Sequence, residues 1–173
     1  DETLVIVTSD HGTELWDHGV VSKGGHGCRY RHNSGILWLM RVPGGPAGKR
    51  VAPLVENTDI VPTVLAQLGL ARDGLDGQDV MPLVKEEQER LRDYTVTGWM
   101  GRAAVRTERW AWSCEFEAET PDEHLFDLTA DPGENHNVAA AHADVCAAHR
   151  AALEAHLGQT LPAQPRDRIY QSE

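Results

Sequence analysis

The sequence predicts an α/β core followed by a small antiparallel α+β subdomain, and three observations carry that prediction. A continuous apolar run, Leu4-Val5-Ile6-Val7, ends abruptly at Thr8-Ser9-Asp10-His11-Gly12, as a buried strand does at its carboxyl end. A helix start and a glycine stop frame residues 57–69. From Tyr94 onward, aromatic and polar residues alternate with period two, the signature of half-buried antiparallel strands. The change of pattern divides the chain into a core portion, residues 1–92, and a subdomain, residues 93–173.

Residues 13–35 are rich in Gly, His and charge without periodicity, which predicts a long functional loop. Ile36 to Met40 reads as a second buried strand, closed by the breaker cluster Val42-Pro43-Gly44-Gly45-Pro46, and Val51 to Val55 as a shorter extended piece. Thr58 or Asp59 is placed to cap the next helix by accepting first-turn amide protons, Pro62 fits only its first turn, and Gly69 suits a left-handed end. Asp73-Gly74-Leu75-Asp76-Gly77 has turn chemistry, and Lys85 to Arg92 is polar enough for a linker or a solvated helix. Thr95 to Trp99, Ala103 to Phe116 and His124 to Leu128 predict strands, with Trp110 and Trp112 as packing residues. Asn135 or Asn137 can cap a closing helix over about Val138–Leu157, with Val138, Val145, Leu153 and Leu157 on its apolar side; Gly158 stops it, and the tail from Pro162 reads as irregular.

Composition narrows the partners. The net charge of −11 argues against a nucleic acid held through its phosphates, so an anionic substrate needs a local positive site. No apolar run approaches the roughly 20 residues that span a bilayer. Three cysteines, Cys28, Cys114 and Cys146, lack metal-type spacing, and an odd, sparse count leans towards a reducing, cytoplasmic compartment.

The chemistry concentrates after the first strand. Asp10 and His11 are a carboxylate and an imidazole at a strand's carboxyl end, where ligand sites of open α/β sheets lie, and both are good ligands for divalent metals. His18, Lys23 and His26 follow in a loop whose glycines let backbone approach a ligand while Lys23 supplies a point charge. From the residues alone, plainer readings stand beside these. Asp10 can serve a turn, His18 can be a hydrogen-bonded loop histidine, and Lys23 can be a solvated surface lysine. His26, Cys28, Arg29, Arg31 and His32 form a basic cluster, mostly exposed on this reading; the arginines could lower the thiol pKa of Cys28, but no base partner is indicated.

Three segments in order resemble the sulfatase family of the alkaline phosphatase superfamily: TSDHGTELWDHGVVSKG, then NTDIVPTVLAQLGL with LDGQDVMPLV, then VRTERWAWSCEF with HLFDLTADPGENHNVA. The resemblance implies the carboxyl-terminal portion of an alkaline-phosphatase-like mixed sheet sandwiched by helices, plus the antiparallel subdomain. It implies a sulfuric ester hydrolase in which Asp10 and His11 bind one divalent cation, Ca²⁺ first, with Mn²⁺ and Zn²⁺ admitted. Lys23 then contacts sulfate oxygens, His18 has a supporting catalytic role, and His26 contacts substrate. The family's formylglycine nucleophile, matured from a Cys/Ser-x-Pro-x-Arg motif, is expected upstream, since no such motif occurs here. Where relatives carry a Tyr-acidic-acidic stretch, Tyr30 is followed by Arg31-His32-Asn33, so substrate preference does not transfer. A phosphoesterase or phosphonate hydrolase of the same superfamily is the alternative, and a noncatalytic truncated fragment is the other. The expected partners are a small anionic ester and, through exposed strand edges, a second copy or the missing amino-terminal half. The isolated chain is expected to be inactive.

Overall fold

In the computed structural model, residues 2–116 and 122–161 are described. The elements in chain order are β1 (Val5–Thr8), β2 (Glu14–Leu15), β3 (Val21–Ser22), α1 (Arg31–Ser34), β4 (Trp38–Arg41), α2 (Ile60–Gln67), α3 (Met81–Val84), β5 (Thr95–Trp99), β6 (Arg102–Arg106), β7 (Trp110–Glu115), β8 (Asp122–Asp127) and α4 (Ala143–Leu157). Short 3-10 turns at Asn57–Asp59 and Ala139–Ala141 precede α2 and α4. The tail from Pro162, read as irregular, lies outside the described residues. The chain forms two compact units, one of residues 1–10 and 36–95, the other of residues 11–35 and 96–173.

In the first unit, β1 pairs antiparallel with β4, from Val5 opposite Arg41 to Thr8 opposite Trp38. Among the described residues these two strands form a sheet of their own, which leaves one edge of each unpaired. The expectation of a buried first strand is therefore corrected: Val7 and Leu39 are both more than half exposed. A two-stranded ribbon covers neither of its faces, whatever the apolar content of its strands. The piece from Val51 to Val55 forms no strand.

The rest of that unit is organised by one buried carboxylate. Asp59 is fully buried, and its oxygens accept the backbone N–H of Glu56 and that of Gln78, each at 2.8 Å. Both also accept from the Arg92 guanidinium at 2.6 Å, a bidentate pair. The carboxylate thus reaches back to Glu56 rather than forward into the first turn of α2, and the side chain of Glu56 closes the reciprocal capping box. Thr63 extends the clasp: its hydroxyl donates to Asp59 O and accepts the Val80 N–H at 3.1 Å. Gly77 fits between these contacts because a Cβ there would lie 2.1 Å from the Thr58 carbonyl oxygen. Arg92, in the stretch that read as linker or solvated helix, is thereby pinned at a buried ion pair. Gly69 ends α2 in the left-handed region as expected, with Leu70 N–H donating to Leu65 O at 2.9 Å.

The second unit carries the sheet β5-β6-β7-β8, in which β7 pairs antiparallel with both β6 and β8. Val105, Trp112, Cys114 and Leu125 are buried there, and each large apolar side chain so enclosed contributes about 1.5–3 kcal/mol. Trp112 also finds a partner for its indole N–H in Glu123, at 2.8 Å, which bears out its packing role. The closing helix starts later than expected. Asn137 instead ties β8 to the residues before the 3-10 turn, accepting from Ala139 N and Leu125 N at 3.0 Å each, and α4 begins at Ala143. Its buried face is consequently Cys146, His149 and Leu153, and Leu157 is exposed. Gly158 stops it at φ 67°.

Removing the clasp carboxylate leaves the Arg92 charge buried and uncompensated. Asp59→Ala is expected to destabilise the chain by about 3–5 kcal/mol in urea unfolding, and a loss below about 1 kcal/mol would contradict the clasp.

Candidate functional site

The strand-end residues leave the ribbon through side-chain hydrogen bonds. Leu37 N donates to Ser9 Oγ at 3.0 Å and Thr8 Oγ1 donates to Leu37 O at 2.8 Å, which finishes pairing and releases Asp10 to the surface. His11, the next residue and the first of the second unit, is also exposed. Its Nδ1 lies 2.6 Å from Gly12 O, a contact that requires the proton on Nδ1 and makes Nε2 the lone-pair nitrogen. Gly12 is obligatory. Its N–H donates to Asn33 O at 2.8 Å, and a Cβ would fall 2.1 Å from His32 O.

The loop that follows is built around Glu14, which is fully buried. Glu14 Oε1 accepts from His26 Nδ1 at 2.6 Å, and Oε2 accepts from Asn33 Nδ2 at 2.8 Å and from His26 N at 3.3 Å. Asn33, itself buried, accepts the Gly24 N–H at 3.3 Å through its side-chain oxygen. One carboxylate therefore fixes two positions, Gly24 and His26, that directly follow Lys23. Burial works to raise the Glu14 pKa, but the hydrogen bonds from His26 and Asn33, with the charge of His26, outweigh it and hold the carboxyl below its ordinary range.

The five predicted site residues separate by environment. Lys23 is exposed and, among the described residues, has neither ion pair nor hydrogen bond. His26 is held by Nδ1 on Glu14, with a quarter of its side chain exposed. His18 is packed instead: its ring stacks on Tyr30 at 3.6 Å between centroids, and Nε2 contacts Gly133 O at 3.0 Å. His32 lies edge-on to His18 at 5.2 Å and 3.7 Å from Asp17. Asp10 and His11 provide one oxygen and one nitrogen donor. Among the described residues no group of three or more His, Cys, Asp or Glu is arranged to hold a metal ion. The donor types fit a divalent cation, and two donors are part of a shell.

Two expectations for the basic cluster are corrected. Arg29 is not exposed but ion-paired with Asp122, which also pairs with Arg102 at 3.3 Å. Cys28 is buried, and burial pushes its thiol up to about 11 despite Arg102 and Arg29, the reverse of an activated cysteine. Burial raises Cys114 and Cys146 to about 11 as well, so three free thiols persist through inaccessibility and do not discriminate compartments. Sequence reasoning passed over Glu14, Asn33 and Glu134. Glu134 is fully buried, accepts the Arg31 N–H at 2.8 Å and pairs with Arg106. Nothing local distinguishes Glu14 and Glu134 from the exposed Asp17, because their partners lie 12 to 103 positions away.

The Glu14 shift has a definite sign. A carboxyl whose folded pKa lies below its unfolded value of about 4.5 stabilises the fold above that pH and loses the contribution as pH falls through the folded value. The urea midpoint of the chain is therefore expected to exceed that of Glu14→Gln above about pH 4.5. The gap should narrow in more acidic solution; a pH-independent gap would contradict the paired carboxylate.

Comparison with known proteins bears on the same segments. Residues 1–70 match the sulfatase family model. Arylsulfatase K of Gallus gallus is 30% identical over 155 residues, which cover 80% of this chain and 28% of that protein. A candidate sulfatase of Bacteroides thetaiotaomicron VPI-5482 superposes with TM-score 0.79 at 26% identity, over 90% of this chain and 36% of the other. A phosphonate monoester hydrolase of Agrobacterium radiobacter superposes with TM-score 0.73 at 29% identity, over 91% and 35%. The chain thus spans about a third or less of the length of these relatives, and no helix among its described residues is long and apolar enough to cross a membrane. The motif order, the fold and the family match over residues 1–70 support the sulfatase family of the alkaline phosphatase superfamily for this chain.

Proposed function

We propose that this chain supplies part of the metal and sulfate site of a sulfuric ester hydrolase, as a carboxyl-terminal portion of the enzyme. The observation that carries the proposal is the loop geometry: a buried Glu14 fixes His26 directly and, through Asn33, the Gly24 backbone, so that Lys23 projects from a held segment with its ammonium unengaged among the described residues. An ammonium in that setting suits the nonbridging oxygens of a sulfate ester, on which charge builds during cleavage. His26, anchored through Nδ1, offers Nε2 to the same anion. His18 acts by position, tying its loop to the Gly133 turn and to Tyr30, without touching the reacting atoms.

Asp10 and His11 would hold the cation through a carboxylate oxygen and Nε2. The Nδ1–H to Gly12 contact is of the kind that orients metal-binding histidines through their other nitrogen. A divalent ion there, Ca²⁺ on the family analogy, would supply Lewis-acid polarisation of the ester oxygens. The remaining ligands and the formylglycine nucleophile would come from outside this chain, which has no Cys/Ser-x-Pro-x-Arg motif.

Phosphonate or phosphate ester hydrolysis is the second reading, favoured by the superposition on a phosphonate monoester hydrolase at 29% identity. Lysine and a metal serve either anion, so the choice rests with the nucleophile.

Two outcomes test the proposal. Mn²⁺ added to the chain should broaden the Asp10 and His11 resonances first, and undiminished broadening at neighbouring residues in the Asp10→Ala, His11→Ala double variant would reject the ligand pair. The chain alone should not turn over aryl sulfates or phosphonate esters; measurable hydrolysis would show that the site needs no outside nucleophile.

A further inference from the structure

Helix α1 is a single turn that begins without a cap of its own. Tyr30 stands at its N-cap in extended backbone and makes no side-chain hydrogen bond to the first turn, which holds no acidic residue either. The acceptor arrives from 103 positions along the chain: Glu134 Oε2 takes the Arg31 N–H at 2.8 Å, while Oε1 is ion-paired with Arg106 on β6. Glu134 is fully buried and sits at φ 57°, in the left-handed region where a side chain brings strain that glycine would avoid. Its neighbour grips the other limb of the same loop, since Gly133 O accepts from His18 Nε2 at 3.0 Å. Asp131 shapes this turn by accepting the Asn135 and His136 N–H groups at 2.7 Å each. The turn after β8 therefore holds the loop at His18 and at Arg31, one on either side of Lys23 in the chain. From Arg31 the hold passes to Asn33 in the same helical turn, whose side chain accepts the Gly24 N–H at 3.3 Å and donates to Glu14 at 2.8 Å. Gly24 is joined directly to Lys23.

We infer that Glu134 is a positioning residue for the anion at Lys23: it caps α1 from the turn after β8 and, through Asn33, sets the backbone to which Lys23 is joined. The inference rests on the anion-binding role proposed for Lys23 and adds a remote residue on which that role depends. One helical turn does not sustain itself in water, so α1 keeps its place only through what holds its ends and its buried Asn33. The two oxygens of Glu134 divide the work. The one facing Arg106 balances a buried charge and belongs to stability, whereas the one facing Arg31 N–H fixes where α1 starts and belongs to position.

The test is a titration of the 173-residue chain with inorganic sulfate, followed through its amide resonances, in a pair of variants at the exposed Arg31. Arg31→Ala removes the side chain and keeps the N–H. Arg31→Pro removes the N–H as well, at a first helical position preceded by extended backbone, where proline fits. Both leave the Glu134–Arg106 pair in place. Arg31→Pro should bind sulfate about three- to tenfold more weakly than Arg31→Ala, the effect of one lost cap, and its Gly24 amide should exchange faster while the β6–β8 amides keep their protection. Glu134→Gly, which removes both oxygens and relieves the backbone, should lose sulfate affinity to the same extent, and Glu134→Gln, which keeps an oxygen for Arg31, should restore it although Arg106 has lost its counter-charge. Equal sulfate affinity in the two Arg31 variants overturns the inference, and that pair decides even where Glu134→Gly fails to fold. Lys23→Ala separates the two readings. If it weakens sulfate while the Arg31 variants do not differ, the Lys23 role stands and the positioning role falls. If it leaves sulfate affinity unchanged, the Lys23 role falls, and Gly24 exchange faster in Arg31→Pro than in Arg31→Ala keeps Glu134 as the residue that sets the loop; equal exchange removes that role too.

Discussion

A buried carboxylate with three donors converging on it holds the candidate site together. Glu14 has no solvent to satisfy it, so His26 and Asn33 must, and that obligation fixes the loop between them. An unpaired carboxylate in such a place costs more than the net worth of any one of its bonds, so the arrangement is all or none. From it follow the position of Gly24 beside Asn33 and the anchoring of His26, with the exposed Lys23 just before them. Asp59 plays the corresponding part in the other unit, gathering the start of α2, the Gln78 turn and Arg92. In each unit a buried anion with distant donors organises the segment around it, in a chain of net charge −11.

Glycine supplies the other constraint. At Gly12 and Gly77 the backbone of another segment occupies the space a Cβ would need. A loop dense in glycine reads as flexible, yet at Gly12 the chain is packed directly against the backbone of residue 32.

Much of this was legible in advance. The pattern Asp10-His11-Gly12, the glycine at 69, the turn before Val80 and the alternating aromatics of residues 103–116 are all local signals, and each led to the right kind of element. The signals that failed were those whose meaning depends on distant partners. Leu4 to Val7 is as apolar as a buried strand, but burial needs neighbours, and here the run has one strand beside it. Asn137 looked like a helix cap because Asn is a good one, while the structure uses it to join β8 to a 3-10 turn. Cys28 sat among arginines and was open to activation, but desolvation outweighs them. Glu14, Asn33 and Glu134 carry no local mark at all, and their roles appear only once the chain has closed on itself.

The most direct test of the account is amide hydrogen exchange on Glu14→Gln, read together with inorganic sulfate affinity. If the buried carboxylate sets the loop, the Gly24 and His26 amides should exchange at least about tenfold faster in the variant, the β6–β8 amides should keep their protection, and sulfate binding should weaken in parallel. Unchanged protection at Gly24 and His26 with unchanged sulfate affinity would mean that Glu14 is a passenger in the loop and that something else positions Lys23.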